Sequence, residues 1–313
     1  MPQISLTTAR VSDPVLTTVA QGYRNSALVF PTLFPIVPVA VRGGKIITFG
    51  REDFRQYNSA RAPGQDTKRV QFGYSGGSFS LVDYSMEGLV PFELQQDANV
   101  VPGVDLGRIS LRKVQDIIQL GNETTSATLA TTAASYQAAN KVTLSGTSQW
   151  SDYSGTSNPS KDIQTGIEAV RAAVGRRANT VVIGPKVWGF LKFHPTILDR
   201  IKYTGRDAVT TDLLAQLWGV QTVAIGDAVY EDASGVLQDV WGKFVVVAYT
   251  DIAPLQDAGL PSFAYTYRLN GYPLVEMAYQ DRNAKSWIYP VTDALAPVIA
   301  SVNSGYLISA AVA

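Results

Sequence analysis

The sequence predicts an α+β protein, and three observations predict it. From Lys161 to Ile225 helical and strand patterns alternate, the rhythm of helices packed against a sheet. From Trp241 to Ile308 the chain turns to strand candidates separated by turn residues. Between Asp105 and Thr132 apolar residues recur every three or four positions, which predicts one long helix.

Composition bounds what such a fold can do. At 313 residues the chain suits one core of ordinary size with an insertion or a second lobe. Lys plus Arg equals Asp plus Glu at 26 each, so the basic excess of a tight nucleic-acid binder is missing. Charged residues make up 17% of the chain and hydrophobic ones 46%, against about 25% charged in typical soluble domains. Something other than water is therefore expected to cover much of the surface. With no cysteine, disulfides, thiolate metal sites and Cys nucleophiles are excluded, and the chain fits assembly in a reducing cytoplasm. The single histidine, His194, leaves little room for imidazole metal sites.

The elements follow in order. Residues 1–25 carry scattered Ser and Thr and no secretory pattern. Ala27 to Val41 is apolar but interrupted by Pro31, Pro35 and Pro38, which forbid a spanning helix. It reads as an extended strap that lays Phe30, Leu33, Phe34, Ile36 and Val37 on another surface. Lys45 to Arg51 and Val70 to Ser75 read as the two legs of a hairpin, with Val70, Phe72 and Tyr74 alternating against Gln71, Gly73 and Ser75. Between the legs, Arg51, Glu52, Asp53, Arg55, Arg61, Asp66, Lys68 and Arg69 surround only two large apolar side chains, Phe54 and Tyr57. Such a ribbon builds no core, and docking on a neighbouring molecule explains it best; a plain surface loop is the alternative.

Phe92 to Ala98 predicts a short helix, and Asp105 caps the long one, with Leu111, Val114, Ile118, Gly121 and Thr125 expected on its buried face. Its Thr- and Ala-rich end, Thr124 to Ala139, must pack closely or fray. After a Ser/Gly/Thr loop with Trp150 and Tyr153, a helix follows Asn158 with Ile163, Ile167, Val170 and Val174 inward. Thr180 to Ile183 is a buried strand, Pro185 opens a helix to Lys192, and Thr210 or Thr211 caps another to Trp218. Strands are expected at Val220 to Ile225, Trp241 to Tyr249, Phe263 to Leu269, Pro273 to Tyr279, Ser286 to Tyr289 and Val298 to Ile308.

Catalytic patterns are weak. Gly73 to Gly77 matches the letters of a nucleophile elbow around Ser75, but strand-like residues follow it where a helix would have to supply the oxyanion hole. His194, at an expected helix end with Asp199 the nearest carboxylate, reads as a packed residue. Asn122-Glu123-Thr124 spells a glycosylation sequon that is inert without secretion. The acidic pairs Glu231-Asp232 and Asp251/Asp257 lack cation-loop spacing, and Gly43-Gly44-Lys45 is no phosphate loop. The five tryptophans read as core and interface anchors.

Arm, charged hairpin, long helix and an α/β lobe containing ANTVVIGPKVWGFLKFHPTILDRIKY (Ala178 to Tyr203) together resemble the major capsid proteins of tailed bacteriophages, of the HK-ninety-seven-like fold. The resemblance implies an N-terminal arm and strap over 1–41, an extended loop over 42–85 and a peripheral domain with its spine helix over 86–150. An axial domain over 151–280 and C-terminal strands over 281–313 returning to the peripheral domain complete the chain. It implies no catalysis and no cofactor or metal. The implied partners are copies of itself in hexamers and pentamers, with scaffold, portal and decoration proteins, and double-stranded DNA enclosed by weak non-specific contact. It implies no membrane, and places the chain in the virion after assembly in the bacterial host cytoplasm. With Met1 leading straight into the arm, a separate scaffold is expected, or a fused one is not needed. A loop cross-link of the kind known in one branch could involve Lys45, Lys68 or Asn270, though their sequence context does not support it. The candidate contacts are the five strap residues and the eight charged hairpin residues named above. The alternatives are an encapsulin-like compartment of the same fold and, from another class, a hydrolase using Ser75 and His194.

Overall fold

The structure is a computed structural model that describes residues 14–22, 28–45, 60–61, 64, 66–67, 77–99, 105–202, 208–251 and 262–313. In chain order it begins with helix α1 (Pro14–Gly22), a single helical turn α2 (Phe30–Leu33) and strands β1 (Ile36–Val39), β2 (Gly43–Lys45), β3 (Ser78–Ser80) and β4 (Val82–Pro91). Helices α3 (Phe92–Asn99) and α4 (Leu106–Thr131) lead to β5 (Lys141–Thr143). Then come α5 (Pro159–Val174), β6 (Thr180–Ile183), α6 (Pro185–Leu191), α7 (Pro195–Ile201), α8 (Thr211–Trp218) and β7 (Thr222–Ile225). The rest is strand: β8 (Val229–Glu231), β9 (Leu237–Asp239), β10 (Val245–Ala248), β11 (Ala264–Leu269), β12 (Leu274–Val275), β13 (Tyr279–Asp281), β14 (Ser286–Ile299) and β15 (Gly305–Ser309).

Two sheets organise these elements. In the first, β14 is the central strand. One of its edges pairs in turn with β13, β12 and β11, and the other pairs over ten residues with β4. Beyond β11, β1 adds in parallel. Pro290 and Pro297 make this strand read as two separate segments in the sequence; proline's fixed φ nevertheless suits an extended chain, and one 14-residue strand results. The second sheet has the order β5-β15-β10-β6-β7. One of its faces packs against α5 to α8 through Val181, Ile183, Val245, Val247, Ile163, Ile167, Leu191 and Leu214. Helix ends match the sequence signals there: Asn158 caps α5, Thr210 caps α8, and Gly175 and Gly219 close the same helices at φ +67° and +69°.

Helix α4 is the expected spine. The Asp105 side chain accepts the Arg108 N–H, and Leu111, Val114 and Ile118 are buried against Val275, Val291 and Ala20 of α1. Gly121 and Thr125, expected inward, are exposed; the buried row continues instead through Asn122, Glu123, Ser126, Ala127 and Ala130. The true 3.6-residue period rotates the contact stripe to those positions. The small side chains Ala127 and Ala130 let the helix close onto Phe263 and Ala264, where the first sheet meets the second face of the other.

The strap differs most from expectation. It is not extended throughout, and its receiving surface is its own chain. Phe30 is 3% exposed, and Leu33 and Phe34, at 0%, lie in the junction between the two sheets, where Phe34 meets Phe263 edge to face at 6.0 Å. Val37 is buried against Tyr267 and Phe79, and Ile36, in β1, is half-buried. The prolines suit this path: Pro31 falls in the first turn of α2, where a missing N–H costs nothing, and Pro38 sits in the edge strand β1. Burying Leu33 and Phe34 alone contributes about 3–6 kcal/mol, which explains why a segment that looked like an outward strap folds inward.

The segment boundaries shift as well. Strand β4 runs across the expected division at 85/86, and β5, placed by sequence in the peripheral segment, pairs with β15 of the other sheet. β15 itself pairs with β10, so only β14 of the expected C-terminal strands joins the sheet under the spine helix. Of the expected hairpin legs, Lys45 to Arg51 and Val70 to Ser75, only Lys45 falls among the described residues; Gly43–Lys45 pairs antiparallel with Ser78–Ser80.

Candidate assembly surface

The residues singled out from sequence fall into two groups. Phe30, Leu33, Phe34 and Val37 are spent on the chain's own core and present nothing to a neighbour. Of the charged group, Arg61 and Asp66 are exposed; Arg51, Glu52, Asp53, Arg55, Lys68 and Arg69 lie outside the described residues.

The arm is held by buried polar groups of the spine. Glu123, 0% exposed, accepts hydrogen bonds from the N–H groups of Val29 (3.2 Å) and Phe30 (2.7 Å) and from the Trp241 indole N–H (2.5 Å). One carboxylate thereby joins the arm, the spine and the loop before β10. Burial raises its pKa above the ordinary carboxylate range, although the three donors act the other way. Eight residues earlier, Gln115 donates to the Ala20 carbonyl at 3.0 Å and fixes α1 against the same helix. The sequon reading at Asn122 fails sterically as well, because this asparagine is buried in the middle of α4.

His194 stands not at a helix end but at the start of α7, as its N-cap. Its Nδ1 accepts the Thr196 N–H at 3.3 Å, so the ring proton sits on Nε2, 2.9 Å from Ser157 Oγ. Ser157 in turn donates to the Asp152 carbonyl at 2.5 Å. The ring gives a proton to this serine and takes none, the reverse of a general base, while Asp199 is exposed and has no bond to it. Ser75 lies outside the described residues; Gly77 leads into strand β3 and not into a helix. Among the described residues no group of three His, Asp or Glu side chains could hold a metal, and no helix is long and apolar enough to cross a membrane.

Among the exposed apolar side chains, several share strand β4. Gly88 packs so closely under the spine that a β-carbon there would collide with Ser110 Oγ, so the even-numbered side chains of β4 face α4. Yet Val82 is 51%, Tyr84 39% and Met86 42% exposed. The helix leaves them uncovered because its second half moves over to β11. Following the flank that touches Gly88, from Ser110 and Val114 by threes and fours, leads to Ile117, Gly121, Thr125 and Thr128, all exposed. Val82, Tyr84 and Met86 and that row of α4 are thus all open to solvent. The opposite face of β4 shows Asp83, Ser85 and Glu87, and α3 adds Glu93 and Asp97 one turn apart; residues 82–99 hold four acids and no base.

No family model matches the chain. Over 312 residues it is 35% identical to the major capsid protein of Burkholderia phage BcepMu, covering 97% of this chain and 98% of the relative. The chain belongs to the phage major capsid protein family. A second family member, from Pseudomonas phage JBD67, is 28% identical over 231 residues, 69% of this chain and 68% of that one. Among solved structures, a phage-related protein of Bordetella bronchiseptica superposes with a TM-score of 0.82 at 44% identity, covering 97% and 98% of the two chains. The capsid of cyanophage P-SCSP1u shares the fold at a TM-score of 0.58 and 10% identity, covering 92% and 90%. The HK-ninety-seven-like fold class expected from sequence is thus the observed one.

For a capsid protein the exposed strand β4 is the feature that sequence reasoning missed. Its signal was present in VDYSME, where Val82, Tyr84 and Met86 alternate with Asp83, Ser85 and Glu87. That alternation over 82–87 marks a strand with one apolar and one acidic face.

Proposed function

We propose that this chain is the repeating subunit of an icosahedral phage head, arranged in hexamers and pentamers around double-stranded DNA and lacking catalytic activity. The observation that carries the reading is the 35% identity to a phage major capsid protein across nearly the full length of both chains. The balanced charge supports enclosing DNA without clamping it. Scaffold and portal proteins are the further partners this reading implies, the virion is its place, and the bacterial cytoplasm is where it assembles. The charged hairpin tip, Arg51 to Arg69, is assigned to a neighbouring subunit, because it offers no core of its own.

Electron microscopy of the purified chain, alone and with the scaffold encoded beside it, tests the reading; closed polyhedral particles are expected. Only soluble monomers under both conditions would count against it. Deleting 51–69 should leave a folded monomer that no longer closes shells; equal loss of folding and assembly would place the tip within its own subunit.

A further inference from the structure

Helix α4 meets its neighbours through apolar side chains at both ends of its contact and through polar ones between them. Toward its start, Leu111, Val114 and Ile118 pack on Val275 and Val291; toward its end, Ala127 and Ala130 pack on Phe263 and Ala264. Between these contacts the buried row of the helix is Asn122 and Ser126, with Glu123 turned to the arm. The sheet is polar at the same level. Side chains alternate along a strand, so Thr266 and Arg268 share the face of β11 that Ala264 presents to α4, and Asp293 shares the face of β14 that Val291 presents to it. A helix crossing from Val291 to Ala264 passes over them. Asn122 and Ser126 lie on the flank nearer β11: Gln115, on that same flank, reaches α1 beside β12, while Ser110 and Val114 lie over Gly88 of β4.

This polar seam is closed to bulk solvent. Asn122 is 5% exposed, and Ser126 and Thr266 are 0% exposed. Among the described residues, the amide nitrogen and oxygen of Asn122, the hydroxyls of Ser126 and Thr266, and Arg268 Nε have no hydrogen-bond partner. Buried polar groups of folded proteins are almost always bonded, to protein or to ordered water.

We infer that the seam between α4 and β11 is an internal hydration site, in which ordered water joins Asn122 and Ser126 of the helix to Thr266 and Arg268 of the sheet. The chemistry of the atoms selects the occupant. Asn122 Nδ2 and Arg268 Nε only donate, Asn122 Oδ1 only accepts, and the two hydroxyls do either. A cation would suit the acceptor and oppose the donors, and an anion would do the reverse; water suits both kinds. The guanidinium of Arg268 is already paired with Asp293 at 2.7 Å, so no charge is left for an ion to neutralise. A buried water makes about three hydrogen bonds, and these atoms therefore call for about two waters. The joint of spine and sheet is dry at both ends and wet in the middle.

High-resolution crystallography of the unassembled subunit tests this. About two ordered waters are expected, each within hydrogen-bond distance of a helix group and a sheet group. The double variant Ser126→Ala, Thr266→Val removes both hydroxyls with little change of shape; its density should lose the water between these two positions and keep the one beside Asn122 and Arg268. In solution, water relaxation dispersion counts long-lived internal waters, and the variant should show about one fewer than the native chain. Direct bonds from Asn122 or Ser126 to the β11 side chains with no water between would overturn the site. So would density with the short coordination distances of a metal ion, or an unchanged water count in the variant. Should the variant fail to fold, the native density decides alone.

Discussion

Glu123 offers the sharpest test of how the arm is held. Replacing it with leucine leaves the Val29 and Phe30 N–H groups and the Trp241 indole N–H without their acceptor in a site closed to water. Each stranded donor costs about 1–3 kcal/mol. Sparing the carboxylate's own desolvation offsets part of this, so a net loss of about 3–5 kcal/mol is expected. Glu123→Gln retains one carbonyl acceptor and should lose about 1–2 kcal/mol. The assay is urea unfolding of the unassembled subunit, followed by tryptophan fluorescence. A leucine variant unfolding at the native midpoint would refute the hub. The pH dependence provides an independent check. Because burial raises the folded-state pKa, the folded chain binds this proton more tightly than the unfolded one. The resulting stability is fully present below the unfolded value and is lost as pH rises through the folded value. The native chain should therefore gain on Glu123→Gln as the solution is acidified across that window. A difference that is flat, or of opposite sign, would show that the carboxylate is not desolvated.

Other expectations follow from the same packing. A chain beginning at Val41 loses Leu33 and Phe34 from the junction and about 3–6 kcal/mol of burial with them; it should aggregate on expression, and a soluble product with native circular dichroism would contradict this. His194→Ala should cost about 1–3 kcal/mol through the lost cap and the unpaired Ser157 while leaving ester hydrolysis at background; a specific loss of hydrolysis would revive an enzymatic role. Arg268 and Asp293 form a largely buried pair at 2.7 Å, so Arg268→Met should cost about 3–5 kcal/mol. Adding Asp293→Leu should recover most of that loss in thermal unfolding, and a further loss would mean that the pair adds net stability.

The legible parts of this fold were those with local signals. Asp105, Asn158 and Thr210 each announce a helix start by a side chain that can accept from the first turn, and each does so. Thr180 to Ile183 is apolar enough to be a strand buried on both faces, and it is one. Long-range choices were not legible. Whether Leu33 and Phe34 lie on a neighbour or in their own core depends on the cavity left between two sheets, which no window of sequence describes. The exposure of Gly121 and Thr125 likewise depends on where α4 leaves β4 for β11. His194 was misplaced because Phe193-His194-Pro195 looks like an ending, although Pro195 in the first turn makes it a beginning. For exposed surfaces, sequence pointed to the charged tip and missed the free edge of β4, since an edge exists only once the pairing of β14 is known.

The inward strap sharpens the question of what holds a shell of such subunits together. With those apolar side chains used inside, adhesion has to come from surfaces that are tolerable in a free monomer, and β4 meets that condition by dividing its character. Val82, Tyr84 and Met86 occupy one face, and Asp83 and Glu87 the other, beside the exposed Leu89. Asp83 is neutralised by Arg42 at 2.7 Å, which leaves Glu87 as the charge opposing two β4 edges that pair with each other, since like charges across a strand pair are destabilising.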